Sequence, residues 1–91
     1  MKKTLRIYLT GSVQGMFFRQ FVKDAADKHN VRGFVRKLED LRMEIFLEGD
    51  SQNVEVVAAI VKAGPKHAVI RSVEEKEERY QEFKDFKILN F

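Results

Sequence analysis

The chain has 91 residues, the size of one domain, and 44% of them are apolar, as in an ordinary folded protein. It contains no run of about 18 apolar residues and no cysteine, which argues against a membrane span and excludes disulfides, thiolate metal sites and cysteine nucleophiles. The net charge of +3 is unevenly distributed: residues 1–37 carry nine basic and two acidic side chains (+7), and residues 38–91 carry eight and twelve (−4). The positive half would attract anions, or it is ordinary surface charge.

The first predicted element is a strand, because Leu5, Ile7 and Leu9 alternate with polar residues at the period of a half-buried strand. We interpret the charged amino terminus as part of this strand and not as a signal peptide, since it lacks an apolar stretch and a cleavage site. A loop over residues 11–17 follows. Apolar side chains then recur at helical spacing from Phe18, which predicts a first helix.

Two strands joined by a tight turn are predicted next. Residues 31–38 and 42–48 both alternate between apolar and polar side chains, and the acidic pair before Leu41 marks the turn. A leucine resists the positive φ that glycine accepts in a two-residue hairpin. We therefore expect a longer turn here, or one of a different type.

The remaining third of the chain predicts a helix and two strands. A helix over 52–63 is favoured by its alanines and by the Gly64-Pro65 stop, although the run VEVVAAIV could also form a strand. A strand over 67–79 follows and enters an acidic stretch, which is typical of a solvated strand end. A short last strand would reach Phe91.

The order β-α-β-β-α-β predicts one α+β domain over residues 1–91 with a ferredoxin-like architecture. In this arrangement both helices lie on one face of an antiparallel sheet, and the short fifth strand is appended at the carboxyl end. The right-handed crossover rule limits the alternative topologies. Because this fold carries many functions, the site residues must decide the function.

Those residues lie in the run GSVQGMFFR, residues 11–19. Successive N–H groups in a tight glycine loop form a nest for anions, and the start of a helix adds about half a positive charge. Arg19 contributes a fixed fork of donors that stays charged. The pattern therefore predicts an anion site at this loop.

The same run resembles the signature of the acylphosphatase family, Gly-x-Val-Gln-Gly-Val-x-Phe-Arg. The stretch Gly33-Phe34-Val35-Arg36 is similar to the family's Gly-Trp-Val-Arg, and Gly49, Gly64-Pro65, Ala68 and Val69 match later landmarks. The resemblance implies metal-free hydrolysis of acyl phosphates to a carboxylate and inorganic phosphate. It also implies that Arg19 clamps the phosphoryl oxygens and that no cofactor is needed. The residues whose backbone amides would cradle the phosphate are Gln14, Gly15, Met16, Phe17, Phe18 and Arg19.

One position departs from the family pattern in a way that touches the chemistry. The family places an asparagine after Gly-Trp-Val-Arg to position the attacking water, and this chain has Lys37 there. Asparagine can accept a hydrogen bond from water, whereas a protonated lysine only donates. With Arg19 and Lys37 as the candidate catalytic residues, we expect a weakened acylphosphatase, or a relative that binds phosphate without turnover.

Other readings of the sequence are less well supported. His29 and His67 lack the neighbouring carboxylates of a metal site, so no metal is expected, and Ser12 has no paired base that would make it a nucleophile. The run Arg32-Gly33-Phe34-Val35 is similar to part of an RNA-recognition signature, but on the wrong strand and without the next aromatic residue. We expect a cytoplasmic monomer that binds a small acyl phosphate or phosphate and not nucleic acid or membrane.

Overall fold

The computed structural model describes residues 1–13, 15–66 and 68–89. Five strands and two helices follow one another in these ranges: β1 (Lys2–Gly11), α1 (Met16–Lys28), β2 (Arg32–Lys37), β3 (Met43–Asp50), α2 (Ser51–Ala63), β4 (Ile70–Glu78) and β5 (Phe86–Leu89). The order confirms the predicted ferredoxin-like α+β fold. None of the helices in the described ranges has the length and apolar character needed to cross a bilayer.

The strands form one sheet in the order β4-β1-β3-β2-β5. The first four strands are antiparallel to their neighbours, as expected. The fifth strand pairs in parallel with β2, placing Phe86 beside Gly33, so the sheet as a whole is mixed. The extra strand reaches this edge through the irregular segment that follows β4.

A single apolar core lies between the sheet and the two helices. Inward-facing strand residues such as Ile7 and Ile45 are fully buried, and they join Val22 of α1 and Val57 of α2 in one cluster. The alternation that predicted the strands and the helical spacing that predicted α1 both result from this shared face.

Helix α1 begins at Met16, two residues before the predicted start at Phe18. Periodicity detects only the side chains that pack, and Met16 and Phe17 are 47% and 74% exposed. The helix therefore contains a first turn that has no apolar signal. Strand β4 likewise begins at Ile70, later than predicted. His67 and Phe91, which the predictions named, lie outside the described residues.

The turn between β2 and β3 is longer than a two-residue hairpin, as predicted. The Leu41 N–H donates to the Leu38 carbonyl at 3.1 Å, and the Leu38 N–H donates to the Arg42 carbonyl at 2.8 Å. Leu41 nevertheless adopts the left-handed conformation, with φ of 71°. A three-residue hairpin requires this conformation at its last position, and the strand pairing on either side imposes it on leucine.

A buried carboxylate on β3 holds the segment between β4 and β5 against the sheet. Glu48 is fully buried and accepts hydrogen bonds from the Thr4 hydroxyl at 2.7 Å and the Phe83 N–H at 2.8 Å, and another from the Gln81 N–H. Between these two amides, Glu82 has φ of 60°. Glu48 thus turns the chain toward the edge where β5 pairs with β2.

Candidate anion-binding site

The site begins where β1 meets β4 with an irregular register. Thr10 pairs with Ser72, but Gly11 pairs with Ile70, so one residue of β4 is skipped. Gly11 has φ of 135°, and a Cβ atom there would lie 2.0 Å from the Val69 carbonyl oxygen. Only glycine fits this contact, which directs the chain out of the sheet and into the loop.

Ser12, the residue after Gly11, binds the loop to the segment before β4. The Ser12 N–H donates to the Val69 carbonyl at 2.8 Å, and the Val69 N–H donates to the Ser12 hydroxyl at 2.7 Å. The Ser12 hydroxyl, which the sequence did not favour as a nucleophile, therefore holds a neighbouring segment. Its partner is an amide outside the loop, and not the loop backbone that we expected.

Two core residues hold the ends of the loop. Val13 is fully buried and Phe18 is 3% exposed, and both belong to the central apolar cluster. Gln14, which was predicted to bind the anion, lies outside the described residues. Gly15 caps α1 with φ of −83° and ψ of 162°, and the nearest neighbour of a Cβ added there would be the Phe17 nitrogen at 3.9 Å. No described atom crowds a side chain at this position. Glycine is a favoured helix cap, and it also leaves the backbone open to a close-bound anion.

The amides at the start of α1 are available to a ligand. Within the described residues, the N–H groups of Met16 and Phe17 make no hydrogen bond, and no side chain caps the helix. The Phe18 N–H makes a long bond of 3.2 Å to the Gly15 carbonyl. Because the first turn also contains no acidic residue, the positive end of the helix dipole is not neutralised there.

Arg19 lies in this first turn and carries an unsatisfied donor. Its side chain is half-buried, and its Nε atom is buried without a hydrogen-bond partner among the described residues. None of the ion pairs found in the described ranges involves Arg19. The Arg19 guanidinium therefore has no ionic partner among the described residues, and it is available to an anion bound at the start of α1.

Lys37 lies at the end of β2, at the same end of the sheet as the loop. The strand register aligns Leu9 of β1, Met43 of β3 and Lys37 in one row, which places Lys37 two strands, or about 10 Å, from the end of β1. Because Val35 faces the core, Lys37 lies on the same face as the helices, and its side chain is exposed. The structure therefore brings Lys37 to the same side and end of the sheet as α1 and Arg19.

An open cavity of about 360 Å³ adjoins the loop. Its lining comes from the loop side, with Ser12, Gly15, Phe17 and Phe18, and from the segment after α2, with Pro65, Lys66 and Ala68. From the sequence, Pro65 was a helix stop and a family landmark and Ala68 a family landmark, and neither they nor Lys66 were assigned to the site. The segment after α2 lies close to the loop because Ser12 contacts Val69, and no pattern along the chain indicates this contact.

Comparison with known proteins gives consistent matches over almost the whole chain. A model of the acylphosphatase family matches residues 5–88. An acylphosphatase of Syntrophus aciditrophicus is 40% identical over 90 residues, covering 98% of this chain and 94% of the relative. One of Pyrobaculum islandicum is 45% identical over 85 residues, covering 91% and 90%. The crystal structure of acylphosphatase from Bacillus subtilis is similar with a TM-score of 0.88 at 33% identity, covering 98% of this chain and 99% of that one.

Proposed function

This chain belongs to the acylphosphatase family, a family of hydrolases acting on acid anhydrides, and we propose that it hydrolyses acyl phosphates at the loop before α1. The observation that carries the proposal is the pair of N–H groups of Met16 and Phe17, which make no hydrogen bond among the described residues, in the same first turn of α1 as Arg19. These donors surround one end of a helix and would satisfy the oxygens of a phosphoryl group.

In the proposed reaction, the loop holds the phosphoryl group while a water oxygen attacks phosphorus. The bond from phosphorus to the acyl oxygen breaks, its electron pair leaves on the carboxylate, and inorganic phosphate retains the water oxygen. A proton of the attacking water stays on the phosphate or passes to solvent. Such a transfer depends mainly on position and charge stabilisation, which Arg19 and the amides supply without a strong base.

The proposed role of Lys37 is weaker than that of the asparagine it replaces. Its ammonium can attract the substrate or stabilise charge on the phosphoryl oxygens, but it offers no acceptor to the attacking water. We therefore propose slow turnover by this chain. The exposed position of the Lys37 side chain supports this, because a solvated lysine can also turn away from the site.

The central test compares the wild type with Arg19→Ala and Arg19→Lys, using benzoyl phosphate hydrolysis and phosphate binding by thermal shift. The wild type should hydrolyse the substrate, and phosphate should raise its melting temperature more than chloride of equal ionic strength. We expect both effects to be lost in Arg19→Ala and only partly restored by lysine, which lacks the fork of donors.

The outcomes separate the alternatives. Phosphate stabilisation without turnover in the wild type would indicate a module that binds the anion without catalysis. Neither turnover nor phosphate stabilisation would refute the anion site. Lys28→Ala removes a lysine from the far end of the same helix and serves as the control for nonspecific charge effects.

We further propose that the protein acts in the cytoplasm as a monomer. The absence of cysteine supports a reducing compartment, since the fold needs no disulfide. Size-exclusion chromatography with light scattering at micromolar concentration tests the second part, and a stable dimer would contradict it.

A further inference from the structure

The acyl end of the substrate also has a candidate position in this structure. We propose that the cavity between the loop and the segment after α2 is an acyl-binding subsite that favours apolar, ring-sized acyl groups. This inference rests on the proposed function, because it places the part of an acyl phosphate that remains when the phosphoryl group occupies the loop. The residues that would contact the acyl group are Phe17, Pro65 and Ala68.

Continuity with the phosphoryl-binding loop is the first support. Gly15 and Phe18 belong to the loop and also line the cavity, so a group leaving the loop on that side enters the cavity directly. Its volume of about 360 Å³ lies near the lower end of small-molecule sites, which suits a substituent the size of a ring.

The chemistry of the lining is the second support. The Phe17 ring is 74% exposed although it is one of the largest apolar side chains in the chain, and burial against a ligand would recover that exposed area. Pro65 and Ala68 form the opposite wall. The Ser12 hydroxyl already accepts from the Val69 N–H, so it does not make the cavity a strongly polar site.

Hydrogen bonds at the second wall are the third support. Two bonds to Ser12 hold Val69, the residue after Ala68, and the Ala68 N–H donates to the Pro65 carbonyl at 3.1 Å. Contacts that are formed before the substrate arrives reduce the entropy lost on binding. Ser12 would therefore act as a positioning residue for the subsite.

Lys66 affects which charge the cavity accepts on the acyl group. It is the only charged side chain among the described residues that line the cavity. An ammonium at the rim disfavours an acyl group that carries a positive charge, and it tolerates a neutral or anionic one. The expected ligand class is thus an apolar acyl phosphate without a cationic substituent.

The test compares kcat/KM for benzoyl phosphate and acetyl phosphate in the wild type, Phe17→Ala and Ala68→Leu. Phe17→Ala removes one wall, and Ala68→Leu fills the cavity. Dividing each variant's benzoyl-to-acetyl ratio by that of the wild type cancels the intrinsic reactivity of the two substrates. We expect the ratio to fall roughly 10-fold in both variants, the lower end of what a changed contact in an apolar pocket produces.

A control variant and a second measurement separate an effect on the subsite from a general effect on the protein. Val56→Ala alters another exposed aliphatic side chain, on α2 and outside the cavity lining, and should leave the ratio unchanged. In phosphate buffer, benzoate should shift the amide resonances of Lys66 and Ala68 far more than acetate does, and Phe17→Ala should weaken this response.

An unchanged ratio in folded Phe17→Ala and Ala68→Leu would overturn the subsite while leaving the proposed hydrolysis intact. Absence of turnover with both substrates would refute the hydrolysis. In that case the benzoate titration decides the subsite alone, and shifts equal to those caused by acetate, or located away from the cavity, would overturn it.

Discussion

The Val69 carbonyl oxygen lies 2.0 Å from the position that a Cβ atom would take on Gly11, whereas a Cβ on Gly15 would meet no described atom closer than 3.9 Å. The two glycines of the loop therefore have different reasons to be glycine. Gly11 is required by the fold. Gly15 is free of that requirement. Glycine is a favoured helix-cap residue, and the missing side chain also leaves room for a ligand close to the backbone.

The first prediction separates these two roles. Gly11→Ala should lower the free energy of unfolding by about 3 kcal/mol or more, through backbone overlap and an unfavourable φ. Gly15→Ala should change it by no more than about 1 kcal/mol, the scale of a helix-cap effect, yet weaken phosphate binding about 10-fold. Urea unfolding and phosphate titration measure the two quantities. Equal destabilisation by both substitutions would contradict the assignment.

The second prediction concerns Lys37, at the position where the resemblance implies an asparagine. Lys37→Asn introduces a side chain that can accept a hydrogen bond from water, and should raise kcat for benzoyl phosphate by about 10²-fold, the scale of one lost catalytic hydrogen-bonding group. Lys37→Gln is the matched control, because it also removes the charge but carries its amide one methylene further out. A gain of the same size in both variants would indicate a charge effect and not the placement of water.

The third prediction concerns the backbone strain in the turn between β2 and β3. Leu41 has φ of 71°, a conformation that costs a residue with a Cβ about 1–2 kcal/mol. Leu41→Gly should therefore stabilise the protein by about 1 kcal/mol and raise the melting temperature by about 4–8 °C. Glu39→Gly, at a neighbouring turn position without a positive φ, should lower it. A loss of stability in Leu41→Gly would show that contacts of the leucine side chain outweigh the backbone strain.

The fourth prediction concerns the buried carboxylate of Glu48. Glu48→Gln replaces one acceptor oxygen by a donor that faces the Thr4 hydroxyl or a backbone N–H, so the free energy of unfolding should fall by about 2 kcal/mol. Hydrogen exchange at Gln81 and Phe83 should accelerate. Glu55→Gln, at an exposed ion pair with Lys3, should cost less than about 1 kcal/mol. Slow exchange at both amides in Glu48→Gln would contradict the role given to the carboxylate.

The fifth prediction is a pH dependence at the hairpin. The backbone N–H of Arg42, and then its guanidinium, donate to the Asp40 carboxylate and hold the pKa of Asp40 below its ordinary value of 3.8. A lowered pKa stabilises the fold above the unfolded value, and this contribution disappears as the pH falls through the folded value. NMR titration of the carboxyl should show the low pKa in the wild type and a higher one in Arg42→Ala. An unchanged Asp40 pKa in that variant would contradict the contribution of the guanidinium.

Local patterns were sufficient for most of the fold. Strand alternation around Ile7 and helical spacing around Val22 indicated their elements because both residues pack into one core. The pattern was insufficient where a residue forms structure without packing, as at Met16 and Phe17. The parallel pairing of β5 depends on where Glu48 turns the chain, a contact between distant segments that alternation cannot reveal.

Part of the candidate site could likewise be predicted from the sequence, and part could not. The spacing of Gly11, Gly15 and Arg19 within one run made the loop recognisable. The cavity wall at Lys66 was not predicted, since it meets the loop only through the hydrogen bonds between Ser12 and Val69. A glycine-rich run thus predicts where a phosphoryl group binds, while the neighbours of that group depend on tertiary contacts.

Strand β4 lies at one edge of the sheet, and this position suggests a role for its acidic stretch. Residues 74–78 carry four glutamates and one lysine, and all but Glu78 are exposed. An open edge can recruit the same strand of another copy and seed fibrils. Charged side chains on an edge strand oppose that association, although Glu75 and Glu78 are paired with Lys62 and Arg6. Replacing the glutamates of this edge by apolar residues would therefore create an aggregation risk.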